Sequence, residues 1–530
     1  MSETVAGGHA APHHELIRTL TWKDAFWVGS GVPALVLFSI GGIAATVGTP
    51  SWLCWMISVI FGFFQAFIYA EMAGLFPSKS GGVAVYGASA WFRYSKLLAP
   101  LSPWANWLAW TPVLTIGATL ASGYILSTFF AADSWIMTAN LSLLDLGFLK
   151  EGLEIRINAL AIIAAGLLMV TFFIQNHGIL GTARVQMIVG IAALTPLLLI
   201  GIVPFFTGDI VSSNFTPFVP LSGAWDHAGW ALIFGTLFLA AWSTYGFETA
   251  VCYTREFRNP KQDAFRAIFW SGILCLVVFT IVPLAFQGYL GVNGMTDPAI
   301  VDGTGVGTVM AAMVGGKGFI ANLIIVMLVL ALFLSISTTM AGTSRTLYQG
   351  SVDGWLPLYL SKVNEHGAPT RAMWTSLSYN LVLLVLSDTL FVLAVACVCY
   401  LVSTFLNVQA GWIHRIDNAN IERPYRCPNW ILTVGTIVGF INAFLLGAGA
   451  NLWGKGTLIM AIIALALIIP MFLYRHYIVD GGKFTKSMLE EMHVDETGTK
   501  GKAGWLPYGT LILGLILVFG AQYYFHGIFL

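Results

Sequence analysis

The chain has 530 residues, 57% hydrophobic and only 9% charged, against roughly 25% charged in an ordinary soluble domain. That fraction excludes a soluble enzyme and indicates a polytopic membrane protein, since a chain this long supplies about a dozen helices at about 20 apolar residues each. Its 25 Lys and Arg cancel its 25 Asp and Glu, so bulk charge favours neither nucleic acid nor an acidic partner.

The N-terminal stretch 1–26, with His9, His13 and His14, has no basic segment leading directly into an apolar core and cleavage site, and reads as a cytosolic tail. Apolar runs then recur at about 27–48, 51–74, 103–131, 157–175, 183–207, 229–253, 266–290, 318–343, 373–387, 389–411, 429–449, 456–474 and 506–525. They predict thirteen spanning helices, and their solid apolar character predicts an all-α bundle, because barrel strands would alternate. The ninth run stops short before Asp388. The thirteenth follows a polar stretch from Asp480 to Lys502.

Charge tests this layout, because Lys and Arg collect on the cytosolic side. With the N-terminus inside, 21 of them fall in cytosolic segments and only Lys150, Arg156, Lys317 and Lys455 fall outside. The odd number of spans places Leu530 outside. Fifteen acidic residues are cytosolic and nine are outside, which leaves Glu248 alone within the membrane. Cys54, Cys252, Cys275, Cys397 and Cys399 sit in apolar runs and Cys427 in a basic loop, so the cysteines read as packing residues and not as a disulfide framework.

The sixth run carries the chemistry: Ala241-Trp242-Ser243-Thr244-Tyr245-Gly246-Phe247-Glu248-Thr249, followed by Glu256-Phe257-Arg258-Asn259-Pro260-Lys261. A carboxylate at membrane depth is costly unless it is paired, protonated or facing water, so Glu248 marks a functional site; a structural Glu bonded to neighbouring helices is the competing reading. Hydroxyls compete for backbone groups and glycine lowers helix propensity, so the Ser-Thr-Tyr-Gly run is where the helix can open.

These residues resemble the amino acid-polyamine-organocation (APC) superfamily of secondary transporters, over nearly the whole chain to about residue 475. The family's sixth helix breaks near a Gly-Phe-Glu-like segment and precedes a Glu-x-x-Asn-Pro loop. Ser344-Arg345-Thr346-Leu347-Tyr348, Asp353-Gly354-Trp355-Leu356-Pro357 and Asn364-Glu365-His366-Gly367-Ala368-Pro369 resemble a second family signature. Tyr69-Ala70-Glu71-Met72 leading to Pro77 and Gly81-Gly82, and Glu422-Arg423-Pro424-Tyr425-Arg426, are further family-like stretches. The resemblance implies a LeuT-like core of two inverted five-helix repeats, 27–207 and 229–411, with discontinuous first and sixth helices around a midplane site. Peripheral helices at 429–474, a cytosolic loop at 475–505 and an extra C-terminal helix at 506–530 complete the expected layout.

Locally the sixth helix is similar to the arginine/agmatine antiporter branch, which reads Trp-Ser-x-x-Gly-x-Glu. That likeness implies Trp242 as an aromatic gate, Ser243 and Gly246 as the opened segment, and Glu248 as the proton-sensing carboxylate. In the first helix the family's Gly-Ser-Gly falls at Ala34-Leu35-Val36 when counted back from Tyr69. The visible Gly29-Ser30-Gly31 lies more than a turn away and reads as close helix packing. Pro33 removes a backbone donor and places the break at Val32 to Val36. Bulky Leu35 and Val36 there favour a small ligand, or one without a carboxylate.

The expected substrate contacts are therefore Val32, Ala34, Leu35 and Val36 with Trp242, Ser243, Thr244 and Gly246. Glu248 is the group for proton coupling, since no Lys or Arg lies deep in the fifth run and no His in any span core. The alternative is a Na+ site built from Ser337 and Thr338, beside Ser335 and Thr339, with carbonyls of the broken first helix. Thr115 and Thr119 are candidates for lining the pathway.

These features predict a plasma (inner) membrane permease moving a small amino acid by alternating access, by proton coupling or exchange. No cofactor or resident metal is expected. The runner-up is a carrier of amines, polyamines or other organic cations, or a Na+-coupled symporter. A channel would need a continuous polar pore lining. A sensor or enzyme would need an output domain or catalytic cluster, and Asp480 to Lys502 holds no nucleotide or metal motif.

Overall fold

The chain enters its first helix at Thr21, whose hydroxyl and backbone N–H make a reciprocal capping box with Asp24. The computed structural model describes residues 16–131, 133–454, 456–484, 486–492, 494 and 501–525. Most of the expected N-terminal tail, together with Lys455, Lys500 and Leu530, lies outside the described residues.

All thirteen apolar runs are helical: α1 (Trp22–Val47), α2 (Ser51–Leu75), α3 (Leu98–Phe129), α4 (Ala159–Gln175), α5 (Ile179–Thr207), α6 (His227–Glu256), α7 (Pro260–Met295), α8 (Phe319–Val352), α9 (Thr370–Leu383), α10 (Thr389–Asp417), α11 (Asn429–Gly449), α12 (Thr457–Val479) and α13 (Leu506–Phe525). Eleven are long and apolar enough to cross a membrane, two fewer than expected. The exceptions are α4, with 17 residues, and α9, with 14. At 1.5 Å per residue both fall short of a hydrocarbon core about 30 Å thick.

The chain is also not purely helical. Between α3 and α4 an antiparallel hairpin pairs β1 (Asn140–Asp145) with β2 (Glu154–Asn158). β2 continues its ladder onto the loop after α9, where Arg156 N–H donates to the Val385 carbonyl at 2.7 Å and Ser387 N–H to that of Glu154 at 2.9 Å. Leu and Ile residues spaced for a strand here escape notice beside longer helical runs.

α2 packs on α7 and α3 on α8; α5 packs on α8 as α3 does on α10. α1 meets α5 as α6 meets α10, and α3 meets α4 as α8 meets α9. In the membrane such contacts depend on small residues that let backbones approach. Gly31 supplies one, because a Cβ there would sit 2.6 Å from the Ser335 Cα of α8. Of the Gly29-Ser30-Gly31 triplet, Gly31 makes this close approach, whereas a Cβ at Gly29 would meet nothing closer than 3.7 Å.

Candidate functional site

Both interruptions expected from the sequence are present, and they face each other. In α1 the ladder tightens into a 3-10 turn at Val32–Leu35 with Pro33 near its start. Gly31 and Leu35 keep right-handed helical dihedrals, so the helix is tightened and not unwound. In α6 the regular helix ends at Thr244, Tyr245 sits at φ −92° and ψ −6°, and an 11-residue 3-10 segment runs from Gly246 to Glu256. Runs beyond three or four residues of this kind are uncommon and mark hinges. Gly246 lies where the two interruptions touch: a Cβ there would be 2.8 Å from the Trp110 ring, 2.9 Å from Val32 and 3.2 Å from Leu35.

Glu248 is buried, and among the described residues it has no cationic partner. Its Oε1 accepts from the Trp110 indole N–H at 3.1 Å and the Asn106 amide at 3.3 Å, both from α3. Trp110 stacks on Trp242 with centroids 5.6 Å apart and packs edge-on against Tyr400 of α10 at 4.8 Å. Trp242 is fully buried, donates its indole N–H to the Ala109 carbonyl at 2.8 Å, and lies 6.0 Å from Phe38 of α1. Trp110 thus joins the parts of the site: it lies against Gly246, donates its indole N–H to Glu248 and stacks on Trp242.

Beyond Glu248, Val83, Thr249, Cys252, Thr339, Thr343 and Thr346 wall a narrow space of about one water. An amino acid does not fit it in this conformation.

The other expected contacts divide. Val32, Ala34, Leu35 and Val36 are all buried at the α1 turn, and Ser243 Oγ lies 3.3 Å from Ser39 Oγ across the α1–α6 contact. Thr244 points elsewhere, onto Ser58 of α2 at 2.7 Å. Thr115 is held by Asn380 of α9 at 2.8 Å. Ser337 and Thr338 are not brought together, because consecutive helical residues point about 100° apart. Ser337 accepts from Gln175 of α4 at 2.7 Å, whereas Thr338 donates to the Val28 carbonyl at 2.5 Å and accepts from Gly31 N–H at 3.2 Å and Gln186 at 3.3 Å. Of these two, Thr338 bonds α1, at Val28 and Gly31 just before its turn.

Asn106, Trp110 and Tyr400 escape the sequence reading. A polar Asn one turn before a Trp in an apolar run was the available signal for the first two. Tyr400 carried none.

The loop motifs pair in space. Arg345 clasps Glu256 through two nitrogens, one contact at 2.9 Å, and both are buried. Lys79 meets Asp353 at 2.7 Å, also buried. Glu71 is held by Arg415 at 2.6 Å and Arg423 at 2.9 Å and accepts the Cys427 N–H at 2.8 Å. Burial first, and the Glu71 charge next, push the Cys427 thiol up to about 12.

A bundle of apolar helices with two interrupted helices meeting beside a buried carboxylate that has no cationic partner among the described residues has the form of a membrane transport protein. The chain belongs to the amino acid permease family, whose model, described as "Amino acid permease", matches residues 20–472. It is similar to the branched-chain amino acid permease BcaP of Bacillus subtilis, 24% identical over 352 residues that cover 66% of this chain and 69% of that protein. It is also similar to the cadaverine/lysine antiporter of Escherichia coli (25% over 351 residues; 65% and 68%) and to the mitochondrial cationic amino acid transporter 3 of Arabidopsis thaliana (27% over 378 residues; 68% and 56%).

Proposed function

We propose that this permease is a secondary active transporter that moves a small amino acid across the plasma membrane by alternating access, with Glu248 as the proton-coupling group. The observation that carries the reading is the contact of the two interruptions at Gly246, within reach of a buried carboxylate that has no counter-ion among the described residues. Substrate binds between Val32–Val36 and Trp242–Glu248, with Trp242 as cover. Protonation of Glu248 changes what Trp110 and Asn106 can donate to, and so biases α6 against α3. The neutral residues at the α1 turn suit a small apolar side chain.

The repeats 27–207 and 229–411 are read as inverted halves. Adding five to each helix number turns the α1–α5 contact into α6–α10 and α3–α4 into α8–α9, while α5–α8 becomes α10–α3. The charge distribution supports a cytosolic N-terminus, with the Glu256–Arg345 end facing the cytosol.

A carrier of amines or other organic cations is the second reading, favoured by the aromatic surround of Glu248: Trp110, Trp242 and Tyr400. A thermal-shift screen of the purified protein against amino acids and their decarboxylated amines separates the two, because a bound ligand raises apparent stability. Stabilisation by amino acids alone supports the first reading; stabilisation by amines alone overturns it.

A further inference from the structure

At the end of the bundle that carries Glu256 and Arg345, α7 and α11 both pack on α2 and leave α2 as the floor between them. Two half-buried residues of that floor reach the walls. Phe64 meets Trp430 of α11 at 6.1 Å, and Phe67 meets Phe269 of α7 at 6.4 Å. Tyr425 stacks on Phe265 at 4.3 Å and Phe265 on Phe269 at 5.6 Å, so an aromatic column descends from the loop before α11 into the membrane-facing surface. Trp270 is 48% exposed and Trp430 62% exposed, as tryptophans at a membrane–water boundary are.

The rim of this groove is cationic. Lys261, Arg266 and Arg426 are exposed, and among the described residues no ion pair holds Arg266 or Arg426. Among the described residues the exposed acid there is Glu422, 85% exposed and 3.8 Å from Lys261; Asp263 and Glu71 are buried, Glu71 in its pairs with Arg415 and Arg423. Arg258 is tied instead to the Thr19 carbonyl at 3.0 Å.

We propose that this groove binds one anionic phospholipid, its phosphate among Lys261, Arg266 and Arg426 and an acyl chain laid along Phe64 and Phe67. Three exposed cations against one exposed carboxylate select a headgroup of net negative charge, because basic residues at the membrane surface attract anionic lipid. A zwitterionic headgroup brings its own ammonium to the same rim and gains little. The apolar floor and exposed tryptophans set the depth at which the phosphate meets the arginines. The inference stands apart from the transport reading, since it needs only that the helices lie in a bilayer.

The test uses the full-length protein, delipidated in detergent and presented with phosphatidylglycerol or phosphatidylcholine of identical acyl chains, with retained lipid counted by native mass spectrometry. Wild type retains phosphatidylglycerol about fivefold or more over phosphatidylcholine. Lys261→Gln/Arg266→Gln/Arg426→Gln loses that preference, while Arg184→Gln/Arg371→Gln, exposed cations elsewhere, keeps it. Equal retention of the two lipids by wild type overturns the proposal without any variant having to fold. An unchanged preference in the triple variant, or an equal loss in the distant control, overturns it as well.

Discussion

Arg345 of α8 grips the Glu256 carboxylate at the end of α6, with both side chains buried and a second nitrogen at 2.9 Å. Two separate loop motifs, Glu-x-x-Asn-Pro and Ser-Arg, thereby become the halves of one ion pair. Removing one member of a buried pair leaves an uncompensated charge and costs about 3–5 kcal/mol. Glu256→Gln and Arg345→Gln are each expected to lower the melting temperature markedly, and the double variant is expected to recover part of the loss. Strictly additive losses in a double-mutant cycle would contradict the pairing.

Gly29 and Gly31 separate packing from conformational freedom, since neither has a positive φ. A Cβ at Gly29 meets nothing closer than 3.7 Å, whereas one at Gly31 lies 2.6 Å from α8 backbone. Gly29→Ala is expected to be tolerated. Gly31→Ala forces the α1–α8 crossing apart and costs about 1–3 kcal/mol, read as a lower melting temperature with no matching change in Gly29→Ala.

Gly246→Ala presses on the Trp110 ring and Val32 at under 3 Å. Initial uptake rates in proteoliposomes are expected to fall at least about tenfold, the consequence of a roughly 1.4 kcal/mol bias between conformations. Uptake at the wild-type rate would show that the two interruptions do not move against each other there.

All six cysteines are buried, and Cys427 is further held protonated near neutral pH by its raised pKa. The thiolate is the reactive form, so maleimide labelling of the native protein at pH 7 is expected to be negligible and to become complete on denaturation. Rapid labelling of the native protein would locate an opening that this conformation closes.

The interruptions were legible because proline and glycine act on the backbone locally: Pro33 marks the α1 turn and Gly246 the α6 turn. Glu248 was legible because a carboxylate in an apolar run has no inexpensive explanation. Its partners were not, since Asn106, Trp110 and Tyr400 come from α3 and α10, and nothing in their own segments encodes that approach. Thr244, Thr115 and Ser337 show the same limit from the other side. A hydroxyl announces its chemistry but not its direction, and these three point to α2, α9 and α4. The hairpin of β1 and β2 was missed because its short strands lie between runs read for helical length.

The most direct test is the pH dependence of uptake by Glu248→Gln in proteoliposomes, with and without an imposed pH gradient. Gln keeps the size and an acceptor for Trp110 but cannot take up or release a proton. Uptake that persists at a reduced rate and no longer responds to the gradient is the predicted result. The same gradient response in Glu248→Gln as in wild type would contradict the assignment of coupling to this residue.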